Sequence, residues 1–163
     1  MFSSKNKGAL SIAYAAVIAA VYVVLTLIFA PISYGPIQVR VSEALCVLPI
    51  FTPAAVPGIF IGCLLANALG GLVIWDVVFG SLASLAAAYI SYLLRSKKVF
   101  AYLSPIVINA LVVPFVLKYA YGVDDLIWYM MFTVAVGEII SVGVLGSILS
   151  IVLEKYRDIL FRE

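Results

Sequence analysis

The chain has 163 residues, of which 66% are hydrophobic and 11% charged, against roughly 25% charged in soluble domains. A water-soluble fold of this size has no interior large enough to hide that much apolar surface, so composition points to an integral membrane protein. The net charge of +2 gives no reason to expect nucleic acid as a partner; in a bilayer it is the placement of charges that informs.

Spanning the bilayer takes about 20 apolar residues. The first run goes from Ala9 to Ala30, behind Lys5 and Lys7, with no cleavable signal pattern. A turn-rich cap follows, Pro31 to Gln38, with two prolines and a glycine. The second run starts after Arg40–Glu43 and ends near Thr52–Pro53, and it is short. The third runs from Pro57 to about Trp75, the fourth from Val77 to Leu94, the fifth from Val99 to Lys118 and the sixth from Leu126 to Leu153. The expected fold is all-α: one domain, 1–163, of six transmembrane helices.

Basic residues give the orientation. Lys5, Lys7, Arg95, Lys97, Lys98, Lys155, Arg157 and Arg162 fall at the N-terminus, between spans four and five, and at the C-terminus. Six spans put all three places on one side, which the positive-inside rule makes cytoplasmic. Only Arg40 and Lys118 fall opposite. Both termini are therefore expected in the cytoplasm.

Small residues at four-residue spacing let helices approach closely in lipid. Span three carries Gly58, Gly62, Ala66 and Gly70; span four carries Gly80, Ser84 and Ala88; span six carries Gly137 with Ser141 and Gly143 with Ser147. These read as packing faces within the chain. In span one, Ala9, Ala13, Ala16 and Ala20 line a smooth face that suits either internal packing or a separate protein. Cys46 and Cys63 sit in apolar stretches and read as small core packers. With no histidine, no zinc site is expected, and no other cofactor.

Ionisable groups inside a span are expensive and suggest function. Glu138 lies midway along span six, roughly 12 Å below Trp128–Met130 by the helical rise. Asn67 and Asn109 fall at about the same depth below Trp75 and Lys118. Each could be a structural hydrogen bond; together they suggest the floor of an outward-facing pocket. At the rim, Arg40 and Glu43 are three apart and could pair on one helical face. Trp75 and Trp128 suit the interfacial belt or a stacking role on a planar ligand. Asp76 suits the N-terminus of span four. No GxxxxGK phosphate loop, HExxH or GxSxG pattern occurs, so neither nucleotide hydrolysis nor those enzyme classes are expected. A pocket without an engine implies a partner, or else a small homo-oligomeric channel or proton-coupled transporter with Glu138 as proton site.

The stretches GPIQVRVSEAL, LPIFTPAAVPGIFIGCLLANALGG and WDVVFGSLASLAAA closely resemble the queuosine-precursor transporter (QueT) family, over essentially the whole chain. Gly137-Glu138 fits as well, while Ser84 stands where threonine is expected. The family consists of substrate-capture, or S, components of energy-coupling factor (ECF) transporters. The resemblance implies six helices with both ends inside. It implies that the alanine face of span one meets a transmembrane T component joined to two cytosolic ATPases. The implied cargo is a 7-deazaguanine such as preQ1, or a related queuosine-salvage compound. On that reading Glu138 would take the guanine-like edge, Asn67 and Asn109 would complete the base contacts, and Trp75 or Tyr34 would stack. Glu43 or Asp76 would meet a cationic arm.

Overall fold

The computed structural model describes residues 4–33 and 38–161. The candidate Tyr34 lies outside them. Among the described residues every regular element is a helix. In order these are α1 (Ser4–Ile28), the single turn α2 (Ala30–Ser33), a 3₁₀ helix (Val41–Ile50), α3 (Ala55–Leu69), α4 (Ile74–Leu93) and α5 (Lys98–Ala120). Next come α6 (Ile127–Glu138), a π-helical segment (Ile139–Gly146), α7 (Ser147–Lys155) and the short α8 (Arg157–Leu160).

Four helices are long and apolar enough to cross a membrane: Gly8–Ile28, Ile74–Leu93, Lys98–Ala120 and the rod Ile127–Lys155. Val41–Ile50 and Ala55–Leu69 are apolar but shorter. At the rises of 3₁₀ and α-helix they reach only about 20 Å each, short of the roughly 30 Å hydrocarbon core. The reason is visible in their surroundings. Residues 42 to 50 are all buried, so the second segment is a core element facing protein on every side and need not match the lipid thickness. The third segment ends early as well. Gly70 and Gly71 break it, Gly71 at φ 74°, where only glycine sits without strain. Trp75 consequently opens α4, where the sequence pattern had placed it at the end of span three. The start of the expected cap also differs, since Ala30–Ser33 forms a helical turn.

The 3₁₀ helix lies at the centre, against α1, α3, α4, α5, α7 and the π segment, while α1, α3, α4, α5 and α6 pack successively around it. Helix α1 approaches α3 closely. A Cβ on Gly62 would stand 2.7 Å from Tyr22 Cβ, and one on Gly58 would stand 2.9 Å from the Ala15 carbonyl oxygen. The stripe read from span three is thus a contact face as far as Ala66, and only Gly70 is exposed. On the π segment Gly146 meets Val47 of the 3₁₀ helix, at 2.7 Å from a would-be Cβ. Gly137, Ser141 and Val142 are buried on the same rod.

Two serines join α4 to α5. Pro105 has no N–H, so the Ala101 carbonyl four residues earlier loses its helical donor. The Ser91 hydroxyl of α4 donates to that carbonyl at 2.8 Å. Reciprocally, Ser104 donates to the Ala87 carbonyl at 3.0 Å. In lipid, where an unsatisfied carbonyl costs several kcal/mol, such pairing makes a buried proline tolerable.

On α1 the sides differ sharply. Ile18, Ala19, Tyr22 and Thr26 are buried, while Ala9, Ala13, Ala16 and Ala20 are exposed. The alanine face is therefore left uncovered by the other described residues.

Candidate functional site

Polar side chains from four helices and the segment before the 3₁₀ helix converge in one enclosed space. Its lining is Gln38, then Arg40 and Glu43 at the start of the 3₁₀ helix, then Asp76, Gly80 and Ser84 on α4. Asn109 and Val113 on α5 and Glu138 at the end of α6 complete it. Five candidates read from the sequence (Arg40, Glu43, Asp76, Asn109 and Glu138) thus meet at one place. Asn67 stands just behind: its Nδ2 donates to the Asp76 carbonyl at 3.4 Å, and a Cβ on Gly80 would come within 3.2 Å of it.

The two carboxylates in the core are held differently. Glu43 is satisfied on both oxygens. The Tyr22 hydroxyl donates to Oε1 and the Cys46 thiol to Oε2 at 2.9 Å, with Arg40 Nη1 4.0 Å from Oε1. Arg40 and Glu43 thus stand near each other at the expected i, i+3 spacing, Cys46 joins at i+3 on the same helix, and Tyr22 of α1 is a partner that no local spacing reveals. Glu138 has only one of its oxygens engaged. Asn109 Nδ2 donates to Oε1 at 2.7 Å, whereas Oε2, equally buried, has no hydrogen-bond partner among the described residues. The Asn67 Oδ1 is in the same position. An unpaired buried acceptor costs about 1–3 kcal/mol, more when charged, and two of them stand beside this one pocket. Cys63 ties the floor together, since Ser84 Oγ donates to its sulfur at 3.4 Å and Arg40 Nη1 lies 3.8 Å from it.

At the rim, Asp76 does not cap α4: Val73 occupies that position without a side-chain bond. Its carboxylate instead accepts from the Tyr121 hydroxyl at 2.9 Å. Burial, and then the neighbouring Asp76 carboxylate, push the Tyr121 phenol up to about 12, so it remains a donor. Gln38 sits at φ 50°, an uncommon backbone state for a residue with a side chain, and such outliers concentrate at ligand clamps.

Trp75 and Trp128 stand apart from this pocket. Trp75 is 58% and Trp128 79% exposed. Trp75 stacks on Phe79 at 5.9 Å and faces an apolar groove with Leu111, Phe115 and Tyr119. Both point outward, as residues of the interfacial belt do. Gln38, Gly80, Ser84 and Val113 line the pocket, and Tyr22 holds Glu43, without having stood out in the sequence as site residues. Gly80 reads as helix packing, yet a Cβ there would stand 2.8 Å from Asp76 Oδ1, inside the pocket.

The cavity measures about 20 Å³, room for little more than a water. Three carboxyl groups and one guanidinium line it. A closed polar pocket among apolar helices, four of them of membrane length, defines a multi-pass membrane protein. A family model described as QueT transporter matches residues 12–155, and the chain belongs to that family. It is similar to the queuosine precursor transporter QueT of Lactococcus lactis subsp. cremoris, with 38% identity over 84 residues. That alignment covers 50% of this chain and 49% of the relative, about half of each. No solved structure matches the chain. Family and relative are transporters and not enzymes, and the location that follows is the cell membrane.

Proposed function

We propose that this chain is the substrate-capture component of an ECF-type importer and binds a queuosine precursor, a 7-deazaguanine such as preQ1. The observation that carries the reading is Glu138, buried with Oε1 held by Asn109 and Oε2 without a partner among the described residues. The guanine-like edge of such a base offers an N–H and an amino group side by side, which a carboxylate accepts as a pair. Three carboxyls against one guanidinium favour a cargo that also brings positive charge, as an aminomethyl arm does. Glu43 is already bonded on both oxygens, so Asp76 is the better partner for that arm, with Asn67 and Asn109 completing the base contacts. At about 20 Å³ the pocket is in a closed form, and capture requires it to widen.

The exposed alanines of α1 supply a surface for the T component, which links to two cytosolic ATPases. Purified chain should bind preQ1 and ignore unrelated vitamins, and in cells it should co-purify with a T component and an ATPase. Uptake that continues with the ATPases inactivated, driven by a pH gradient in vesicles, would instead make Glu138 a proton site in a self-sufficient transporter.

The orientation belongs to the same reading. With the 3₁₀ helix and α3 counted as two short crossings, both termini and the α4–α5 turn face the cytoplasm. A cysteine at Lys97 should then react with an impermeant reagent only after the membrane is opened. Labelling in intact cells overturns the six-crossing topology.

A further inference from the structure

A second cleft lies at the end of the molecule where α4 turns into α5. Its walls are Phe51 and Pro53 of the turn before α3, Tyr92 and Arg95 at the end of α4, Lys98 at the start of α5, and Arg157 of α8. It encloses about 350 Å³, within the range of small-molecule sites. Three cations line it and, among the described residues, no carboxylate does.

The guanidiniums are placed by aromatic rings and spend little of their bonding capacity on the protein. Arg95 lies 4.3 Å over the Tyr92 ring and donates to the Tyr92 carbonyl at 3.1 Å, with no carboxylate partner among the described residues. Arg157 lies 6.0 Å from the Phe51 ring centroid, and Phe51 is itself stacked on Phe161 at 5.5 Å. Arg157 and Lys98 share one acid, Glu154, at 3.3 and 3.2 Å, so the two cations together keep an excess of positive charge. Guanidinium planes fixed in this way present paired N–H groups suited to phosphate oxygens. The site falls at the ends of membrane-length helices, the depth of lipid headgroups, and basic pockets between helices at that depth take phosphate-bearing headgroups.

We propose that this cleft binds the phosphate of an anionic lipid, held by Arg95, Arg157 and Lys98, with the glycerol region against Phe51 and Tyr92. The site is independent of the cargo pocket and of which membrane face it occupies.

The test uses the full chain in phosphatidylcholine nanodiscs, with and without phosphatidylglycerol, read by melting temperature and by native mass spectrometry of retained lipid. Phosphatidylglycerol should raise the melting temperature and remain bound. Arg95→Gln with Arg157→Gln should weaken retention about tenfold or more, the effect of losing charge-assisted bonds, while both melt normally in phosphatidylcholine. Arg95→Lys with Arg157→Lys should recover part of it. Lys97→Gln with Lys155→Gln removes equal charge outside the cleft and should leave retention within about twofold. Equal losses from both pairs mean diffuse surface attraction and overturn the site. Stabilisation by inorganic phosphate, dependent on the same arginines, upholds the anion site and assigns it to a soluble phosphate. No response to either anion, with the arginines needed only for ATPase co-purification, makes the cleft a protein contact and overturns the proposal.

Discussion

Glu138→Gln is expected to weaken binding of preQ1 at least about tenfold while leaving the melting temperature of the unliganded chain unchanged or slightly higher. The amide keeps the size of the side chain and can still accept from Asn109 at the oxygen now held at 2.7 Å. What changes is the other position, where an acceptor without a partner among the described residues becomes a donor facing the ligand's own donor. A mismatch of that kind costs about 1–3 kcal/mol, more where charge is involved, which is the tenfold or greater loss. An amide is also cheaper to bury than a carboxylate, so the empty fold has no reason to suffer. Equal affinities for wild type and variant would remove Glu138 as the reader of the base. A lower melting temperature with intact affinity would give it a structural role instead.

Ala16→Leu and Ala20→Leu are expected to abolish uptake in cells yet leave preQ1 binding by the isolated chain intact. Both positions are exposed, on the side of α1 opposite Ile18, Ala19 and Tyr22. In the isolated protein a leucine there meets lipid or detergent, and surface changes of this kind fall within about 0.5 kcal/mol. Against a partner helix the same leucine holds the backbones apart, and small-residue contacts depend on close approach. Binding titrations beside whole-cell uptake separate the two effects. Normal uptake by both variants would remove the case for this interface.

The sequence carried much of the architecture because lipid imposes a simple rule on helix length and polarity. The long apolar runs became α1, α4, α5 and the rod from Ile127 to Lys155. Segments two and three are shorter than that rule asks, the second because it is buried in protein and the third because Gly70 and Gly71 end it. The polar candidates Arg40, Glu43, Asp76, Asn109 and Glu138 were legible because each stands out against an apolar background. Trp75 was misplaced by one element, since the Gly70-Gly71 break fell inside what read as one apolar run. Tyr22 could not be found at all. Its hydroxyl meets Glu43 across a separation of 21 residues, and in an apolar helix a tyrosine looks like any other large side chain. Nor does anything in the sequence from Ile139 to Gly146 mark the π geometry that follows Glu138.

The serine hydroxyls between α4 and α5 have a mechanical consequence. Ser91 and Ser104 stitch those helices together from both directions, and on the other side Tyr22 and Thr26 stitch α1 to Glu43 and Ser42 of the 3₁₀ helix. Sliding within either pair strands buried acceptors where no water can replace the lost donors. Asp76, Gly80, Ser84, Asn109 and Val113 belong to the first stitched body, and Arg40 and Glu43 to the second. The pocket therefore lies between two hydrogen-bonded helix pairs, with Glu138 of α6 closing it and Cys63 of α3 linking Ser84 on one side to Arg40 on the other.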